Sequence, residues 1–439
     1  MNIYIAVEEK KREFYAKLLL GFESALKGNQ VYIGNIMPLC EKGIFKPGII
    51  HLKSITPSNK RIAQMKILKK FGFIITSIDE EVGVRDEGYG DLDLRYGYKT
   101  VNLIDKLFVH GNFDYKYLIK KFNKYKKKIV ISGNPRFDFW RKDFKKFFDK
   151  NDMPKKKNYL LLSSNLNYIF SYKSMEDSIM VLKKGGYFKR GSSLKGVKND
   201  KVRSEKVLKK IDEFINIVNK NFKNIPIIIR PHPTENPDKW KKHIGFKKNI
   251  EIINTGNLSD WISNALCVIH SGCTSGLEAV VRGKTAISIS TKEVIRNHLG
   301  SNIPDKVSIR ALNKKQIIES ISALLKKNLK LDFQRNKKLI QNRIVNIFDR
   351  PAYKTINETW QEIGNDALCN KNNNFLIKIK ILLKNLLKYF LAKRHQSFKF
   401  ENLSYKELEV FKKRIVKINP KFKNIRFQII RYDLVRLYL

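Results

Sequence analysis

Two doubly wound α/β domains in tandem, followed by a basic tail, are the architecture predicted by this 439-residue sequence. Three observations carry that reading. Short apolar runs alternate with amphipathic segments from the first residues onward, the signature of βαβ units and a mainly parallel sheet. The alternation breaks at a polar stretch, 149–158, and then restarts. The length holds two cores, since domains mostly run about 100–200 residues.

In the first half, "NIYIAVE" predicts a strand and "KREFYAKLLLGFESALKGN" a helix stopped at Gly28-Asn29. "QVYIGN" and "GIIHLKSI" are strands, and "NKRIAQMKILKKFG" is a helix with a glycine stop at Gly72. "FIITSIDEE", "KLFVHG" and "KIVISGNP" complete the set, closing a first domain over 1–150. The second domain, 151–348, opens on the strand "NYLLLSSNL". It continues through the helix "EKVLKKIDEFINIVNKNF", the strands "IPIIIRPHP" and "IEIINTG", and the strand–loop–helix "CVIHSGCTSGLEAVVRG". The strand "TAISIS" and the helix "NKKQIIESISALLKK" follow. Residues 170–203, rich in Gly, Ser and Lys, read as an irregular insertion: a loop over a cleft or a plain surface excursion. "DRPAYKTINETWQEIG" is a return helix over 349–372. The tail, 373–439, begins with "FLIKIKILLKNLLKYFLAKR". There Ile379, Leu382, Leu383, Leu386 and Phe390 recur at helical spacing opposite Lys378, Lys380, Lys384 and Lys388. Such a basic amphipathic helix lies in an anionic membrane interface or packs on the body with a solvated lysine face.

Composition narrows the class. Hydrophobic residues make up 42% of the chain, which is globular and not disordered. The four cysteines show neither a disulfide framework nor metal-ligand spacing, so no metal is expected and a reducing compartment fits. The N-terminus lacks the basic and long apolar regions of a signal peptide, and every stretch of about 18 residues carries charge. A cytoplasmic protein held peripherally at the inner face of the membrane is expected. Lysine and arginine number 88 against 41 acidic residues, a formal charge of +47. Such a field draws polyanions. A nucleic-acid partner is not expected, because no recognition module is present. G-x-G-x-x-G and P-loop motifs are absent as well.

Four segments put chemistry at the carboxyl ends of strands, where open α/β sheets bind ligands. In "IIIRPHPTE", prolines hold Arg230 and His232 extended. His232 can bind a phosphate oxygen or protonate a leaving group, and Arg230 can offer a cationic fork; the alternative is a rigid turn. In "CVIHSGCTSGLEAVVRGK", Ser271, Gly272, Thr274 and Ser275 lead into a helix whose N-terminus favours a phosphate. Glu278 can accept from ribose hydroxyls, or the segment is simply a capped helix start. In "SIDEEVGVRDEG", Asp79, Glu80 and Glu81 crowd together, which raises carboxyl pKa values and suits a general base; an acidic surface loop is the plainer reading. His110 and the pair Asn134 and Arg136 rim the same end of the first domain as acceptor-binding candidates or strand-ending turns.

Together, "GNPRFDFW", "RPHPTE" and "HSGCTSGLEAVVRGK" resemble bacterial surface carbohydrate biosynthesis proteins, related to transferases of CMP-activated sialic acid, Kdo or other nonulosonic acids. The resemblance spans roughly residues 1–360. It implies a GT-B fold, two Rossmann-like domains with a cleft between them, and a glycosyltransferase that needs no metal and no cofactor beyond its CMP-sugar. By that likeness His232 binds or protonates the CMP phosphate, and Ser271, Thr274 and Ser275 hold it. Glu80 or Glu81 acts as base towards a glycan or glycolipid acceptor. The family's acidic motif sets glycine directly after two acidic residues. Here Val82 intervenes before Gly83, whereas Asp86-Glu87-Gly88 fits, so the base stays open between them. The rivals are a CDP-polyol phosphotransferase of the teichoic-acid type, and a basic membrane- or RNA-binding protein without enzymatic activity.

Overall fold

In a computed structural model, residues 1–80, 90–148, 156–184, 188, 193–222, 225–290, 302–329, 333–369 and 402–439 are described. The chain divides into two compact units. The first comprises Met1–Gly83, Gly90–Phe147 and Gln341–Leu439, and the second Val84–Tyr89 and Phe148–Ile340.

The first unit is an α/β sandwich on one eight-stranded sheet. Its parallel strands are β1 (Asn2–Ala6), β2 (Gln30–Gly34), β3 (Ile49–Leu52), β4 (Ile74–Ile78), β5 (Lys106–Val109) and β6 (Ile129–Ile131). They stand in the order β2-β1-β3-β4-β5-β6. The chain reverses its direction of travel across the sheet between β1 and β3, a topological switch point. Strands such as β3 are buried at every residue, as parallel strands covered by helices on both faces should be.

The second unit carries a six-stranded parallel sheet: β7 (Tyr159–Ser163), β8 (Ile227–Arg230), β9 (Ile250–Ile252), β10 (Ala265–His270), β11 (Thr285–Ser288) and β12 (Ile309–Arg310). Its order is β12-β11-β10-β7-β8-β9, so the switch falls between β7 and β10. The two tandem doubly wound domains expected from the alternation are thus present, each with its own core.

Two expectations change. The supposed tail is only partly a tail. β13 (Arg426–Arg431) and β14 (Leu434–Tyr438) form an antiparallel hairpin that extends the first sheet through β14 and β2. Gly34 makes this junction, because a Cβ there would sit 2.0 Å from the Asp433 carbonyl oxygen. The helix Tyr405–Val416 packs Phe411 against Phe22 and Phe147. Residues 402–439 are therefore part of the first domain's core. The basic helix 375–394 lies outside the described residues. The insertion 170–203 is also more regular than expected. It contains the helix Met175–Lys184 and the first turns of a 28-residue helix, Leu194–Asn221, capped by the Ser193 side chain. The Ser174 and Ser193 hydroxyls accept from Asp177 N and Gly196 N, and these caps start the two helices. Among the described residues, no helix is long and apolar enough to cross a membrane.

Candidate active site

The carboxyl end of β4 in the first unit was expected to offer a general base. It offers a closed polar network instead. The Lys17 ammonium donates to Glu80 Oε1 at 2.5 Å, with both side chains essentially without solvent. Asn134 Nδ2 donates to Glu80 Oε2 and to His110 Nε2, each at 3.1 Å. His110 Nε2 therefore carries the lone pair, and its Nδ1–H faces Asp114 Oδ2 at 3.3 Å. Asn134 Oδ1 accepts from the Arg136 backbone N–H, which fixes the amide's orientation, and Arg136 Nη1 donates to the Glu80 carbonyl.

Burial alone would raise the Glu80 carboxyl. The Lys17 and Arg136 charges and the hydrogen bonds from Lys17 and Asn134 outweigh it and pull it down to about 2. Asp79 is not its partner in charge; that carboxylate is held by two Arg95 hydrogen bonds of 2.8 Å. Asp79 and Glu80 therefore face different cations, and Glu80 sits in a buried ion pair where a general base was expected. A buried carboxylate with so low a pKa takes up a proton poorly. His110 and Asn134 are corrected likewise, from acceptor contacts to buried members of this chain; Arg136 is half-buried beside them. Glu81 and the Asp86-Glu87-Gly88 alternative lie outside the described residues.

"GNPRFD" has a further structural role. Asp138 accepts from Asn346 Nδ2 at 2.7 Å and from the backbone N–H groups of Ala352 and Tyr353, both at 2.9 Å. It thereby caps the helix Ala352–Cys369 more than two hundred residues away. Gly133, at φ +76°, leaves room for Asn346, whose Oδ1 a Cβ would meet at 2.0 Å.

The second unit differs. Across its switch point, Ser163 of β7 lies in register with Arg230 of β8 on one side and His270 of β10 on the other. The turn after β10, Ser271–Cys273, leads into the helix Thr274–Val281, whose N-cap position carries no side-chain cap. Ser271 Oγ meets Ser290 Oγ at 3.1 Å, and Cys273 Sγ lies 3.7 Å from Ser163 Oγ. Ser275 is 1% exposed, and its hydroxyl has no hydrogen-bond partner among the described residues. A buried hydroxyl left unmade costs about 1–3 kcal/mol.

His270 was not singled out by the sequence. It is buried at the end of β10, where burial lowers its pKa to about 4. Ser308 Oγ donates to the Pro304 carbonyl and so accepts from His270 Nε2–H at 2.8 Å. Nδ1 is left with a lone pair and no hydrogen-bond partner. The helix packs so closely on this ring that a Cβ at Gly276 would lie 2.2 Å from Nε2. Gly272, at φ +72°, supplies the left-handed turn before the helix.

The histidine–proline segment holds His232 half-buried and Glu235 buried. His232 Nδ1 is 2.8 Å from Thr234 Oγ1 and accepts weakly from the Thr234 N–H, which fixes the ring beyond the end of β8. Glu235 is buried and binds back. It takes hydrogen bonds from Ser164 Oγ, from Leu166 N at 2.5 Å and from Trp240 Nε1 at 2.7 Å, tying the loop after β7 to this turn. Arg230 is corrected: its guanidinium is spent on the carbonyls of Ile253, Thr255 and Gly256, and burial lowers it to about 10. Glu278 is also less available than expected, because Arg282 Nη1 donates to its Oε1 at 3.1 Å. The 232 and 271–275 segments flank β7 and its Ser163-Ser164 end, a third component the sequence did not single out. A short hydroxyl pair directly after a buried strand was the available signal.

No family model matches the chain, and no curated protein matches it. Solved structures do. UDP-GlcNAc 2-epimerase of Methanocaldococcus jannaschii, in complex with UDP-GlcNAc and UDP, is similar at a TM-score of 0.50 and 14% identity, over 82% of this chain and 100% of that one. S. aureus MnaA with UDP is similar at 0.50 and 13% identity, over 85% and 99%. The wall teichoic acid polymerase TagF is similar at 0.48 and 9% identity, over 84% and 90%. What the chain shares with the first two of these structures is the fold, GT-B-like with two Rossmann-like α/β domains.

Proposed function

We propose that the protein is a glycosyltransferase that uses a CMP-activated acidic sugar (sialic acid, Kdo or another nonulosonate) to build a bacterial surface polysaccharide. One observation carries the reading. At the switch point of the second sheet, a helix N-terminus without a side-chain cap and the buried Ser275 hydroxyl, which has no hydrogen-bond partner among the described residues, stand at a strand end, with Ser271 in the turn before them. These groups match a phosphate. They stabilise it more as negative charge grows on the departing nucleotide, which is the requirement for catalysis. His232, fixed at the end of β8, serves the leaving-group oxygen across the single intervening strand. The Methanocaldococcus jannaschii enzyme of like fold, solved with UDP-GlcNAc and UDP, supports a nucleotide-sugar donor. The acceptor is a glycan or glycolipid, and the basic segment 375–394 holds the enzyme at an anionic membrane.

The test is donor-resolved turnover. CMP-sialic acid, CMP-Kdo, CDP-glycerol and UDP-GlcNAc are supplied separately, and nucleotide release or epimer formation is followed. The expected result is CMP release from a CMP-sugar, lowered about 10²-fold in His232→Ala while the circular-dichroism melt is retained. Turnover of CDP-glycerol or UDP-GlcNAc alone overturns the donor assignment, and an unaffected His232→Ala overturns the role of the imidazole.

A further inference from the structure

The first unit contains a cavity of about 720 Å³ that the reading above does not use. It sits where the first sheet reverses. Ala6 at the end of β1, Leu52 at the end of β3 and Asn35 just beyond β2 all line it. Open α/β sheets bind ligands at such crevices.

Its lining is built for an anion with hydroxyl groups attached. Five cationic residues and two carboxylates face it. Lys53 is paired with Glu8 at 2.6 Å, and Gln64 Nε2 donates to Glu41 Oε1 at 2.6 Å. Arg61 differs from these. It is half-buried, and its guanidinium lies in the field of both Glu8 and Glu41. Yet no hydrogen bond or ion pair engages it among the described residues, although a guanidinium offers five donors in a planar fork. Its backbone N–H is the group held by the Ser58 cap, which fixes the first turn of the helix Asn59–Lys70 at the cavity wall.

We propose that this cavity binds a sugar bearing a carboxylate or phosphate, with the anionic group on Arg61 and ring hydroxyls on Glu8 and Glu41. Bidentate capture of a carboxylate or phosphate is what an unengaged arginine fork does best. The two carboxylates discriminate against a bare inorganic anion and in favour of a hydroxylated one. If the glycosyltransferase reading holds, the cavity assigns the enzyme's second substrate to the class of acidic or phosphorylated glycans. That assignment rests on the reading, whereas the binding site stands without it.

Isothermal titration calorimetry on the full chain tests this with N-acetylneuraminic acid, N-acetylglucosamine 1-phosphate, N-acetylglucosamine and inorganic phosphate. One or both acidic sugars are expected to bind at least about tenfold more tightly than the neutral sugar; which of them binds separates a carboxylate from a phosphate ligand. Arg61→Gln is expected to abolish that advantage and Arg61→Lys to restore part of it. If Arg61→Gln fails to fold, Arg61→Lys is read alone, and a parent-like preference for acidic sugars in it overturns the proposal. His232→Ala should bind these sugars like the parent chain. Equal binding of neutral and acidic sugars, binding of phosphate alone, no binding at all, or full affinity in a folded Arg61→Gln each overturns the proposal. CMP release without sugar binding here would sink the cavity and spare the donor site; sugar binding without CMP release would do the reverse.

Discussion

The polar groups at the two carboxyl-terminal sheet ends present a contrast. In the first unit, Lys17, Glu80, Asn134, His110 and Asp114 form a buried chain in which each donor meets an acceptor. In the second, a buried serine hydroxyl and a histidine Nδ1 at the equivalent end of the sheet make no hydrogen bond among the described residues, the Asp305 carboxylate standing off from Nδ1 at 3.9 Å. A network of this kind describes architecture, because each of its residues is already engaged by another. An unfinished one retains the unmet cost of about 1–3 kcal/mol per group that binding can recover. On that criterion the acidic segment of the first unit reads as scaffold, with His51 Nε2 of β3 a neighbour that makes no hydrogen bond among the described residues, and the serine turn of the second is the candidate that the proposed function uses.

The largest test concerns the scaffold. Nine apolar residues of 402–439 are buried, among them Leu408, Phe411, Phe422, Leu434 and Leu437. At about 1.5–3 kcal/mol each they outweigh the whole stability of a typical domain. Deleting 402–439 is therefore expected to unfold the first unit while residues 148–340 keep their protection against limited proteolysis. A soluble truncation with an unchanged cooperative melt would mean that the hairpin is an accessory.

Next in size is the ion pair. Glu80→Leu leaves the Lys17 ammonium buried and uncompensated, at a cost of about 3–5 kcal/mol. Lys17→Met combined with Glu80→Leu should recover most of it, as read by urea unfolding. The pH dependence has a definite sign. The folded carboxyl lies at about 2 against an ordinary 4.5. Its stabilisation is present above about 4.5 and is lost as pH falls towards 2. The wild type should weaken through that window, and the double variant should weaken less. If Glu80→Leu instead keeps its stability and loses turnover, Glu80 is a catalytic group and the contrast fails.

How much of this could be read beforehand depended on range. The strands were legible because parallel strands covered on both faces, such as "YLLLS" and "IIIR", are continuous apolar runs that need no partner to be recognised. The strand–turn–helix junction at Ser271–Ser275 was legible because a helix N-terminus and its small residues are neighbours in sequence. The fate of Glu80 was not, since its cation comes from Lys17, sixty-three residues earlier. Nor was the role of Asp138, whose capped helix begins at Ala352. The terminal hairpin shows only the weak alternation of an edge strand in β13, and its partner β2 lies some four hundred residues upstream. Arg230 followed the right motif to the wrong end: a cation at a strand end reads as a ligand group until three carbonyls are found to hold it.

The finest test sets two serines of the second unit against each other. Ser164 donates its hydroxyl to the buried Glu235, while Ser275 donates to nothing among the described residues. Ser164→Ala strips a donor from a buried carboxyl and should cost about 1–3 kcal/mol of stability. Ser275→Ala removes a buried hydroxyl whose hydrogen bond is unmade, so its melt should shift by no more than about 0.5 kcal/mol in either direction. Turnover should order them the other way: Ser275→Ala is expected to lose about tenfold in kcat/KM for the nucleotide donor, the worth of one hydrogen bond to a charged oxygen. Thermal unfolding and donor kinetics on the same two preparations separate the cases. A Ser275→Ala that is destabilised but fully active would show its hydroxyl to be internal structure, and the line between finished and unfinished polar groups would no longer mark the site.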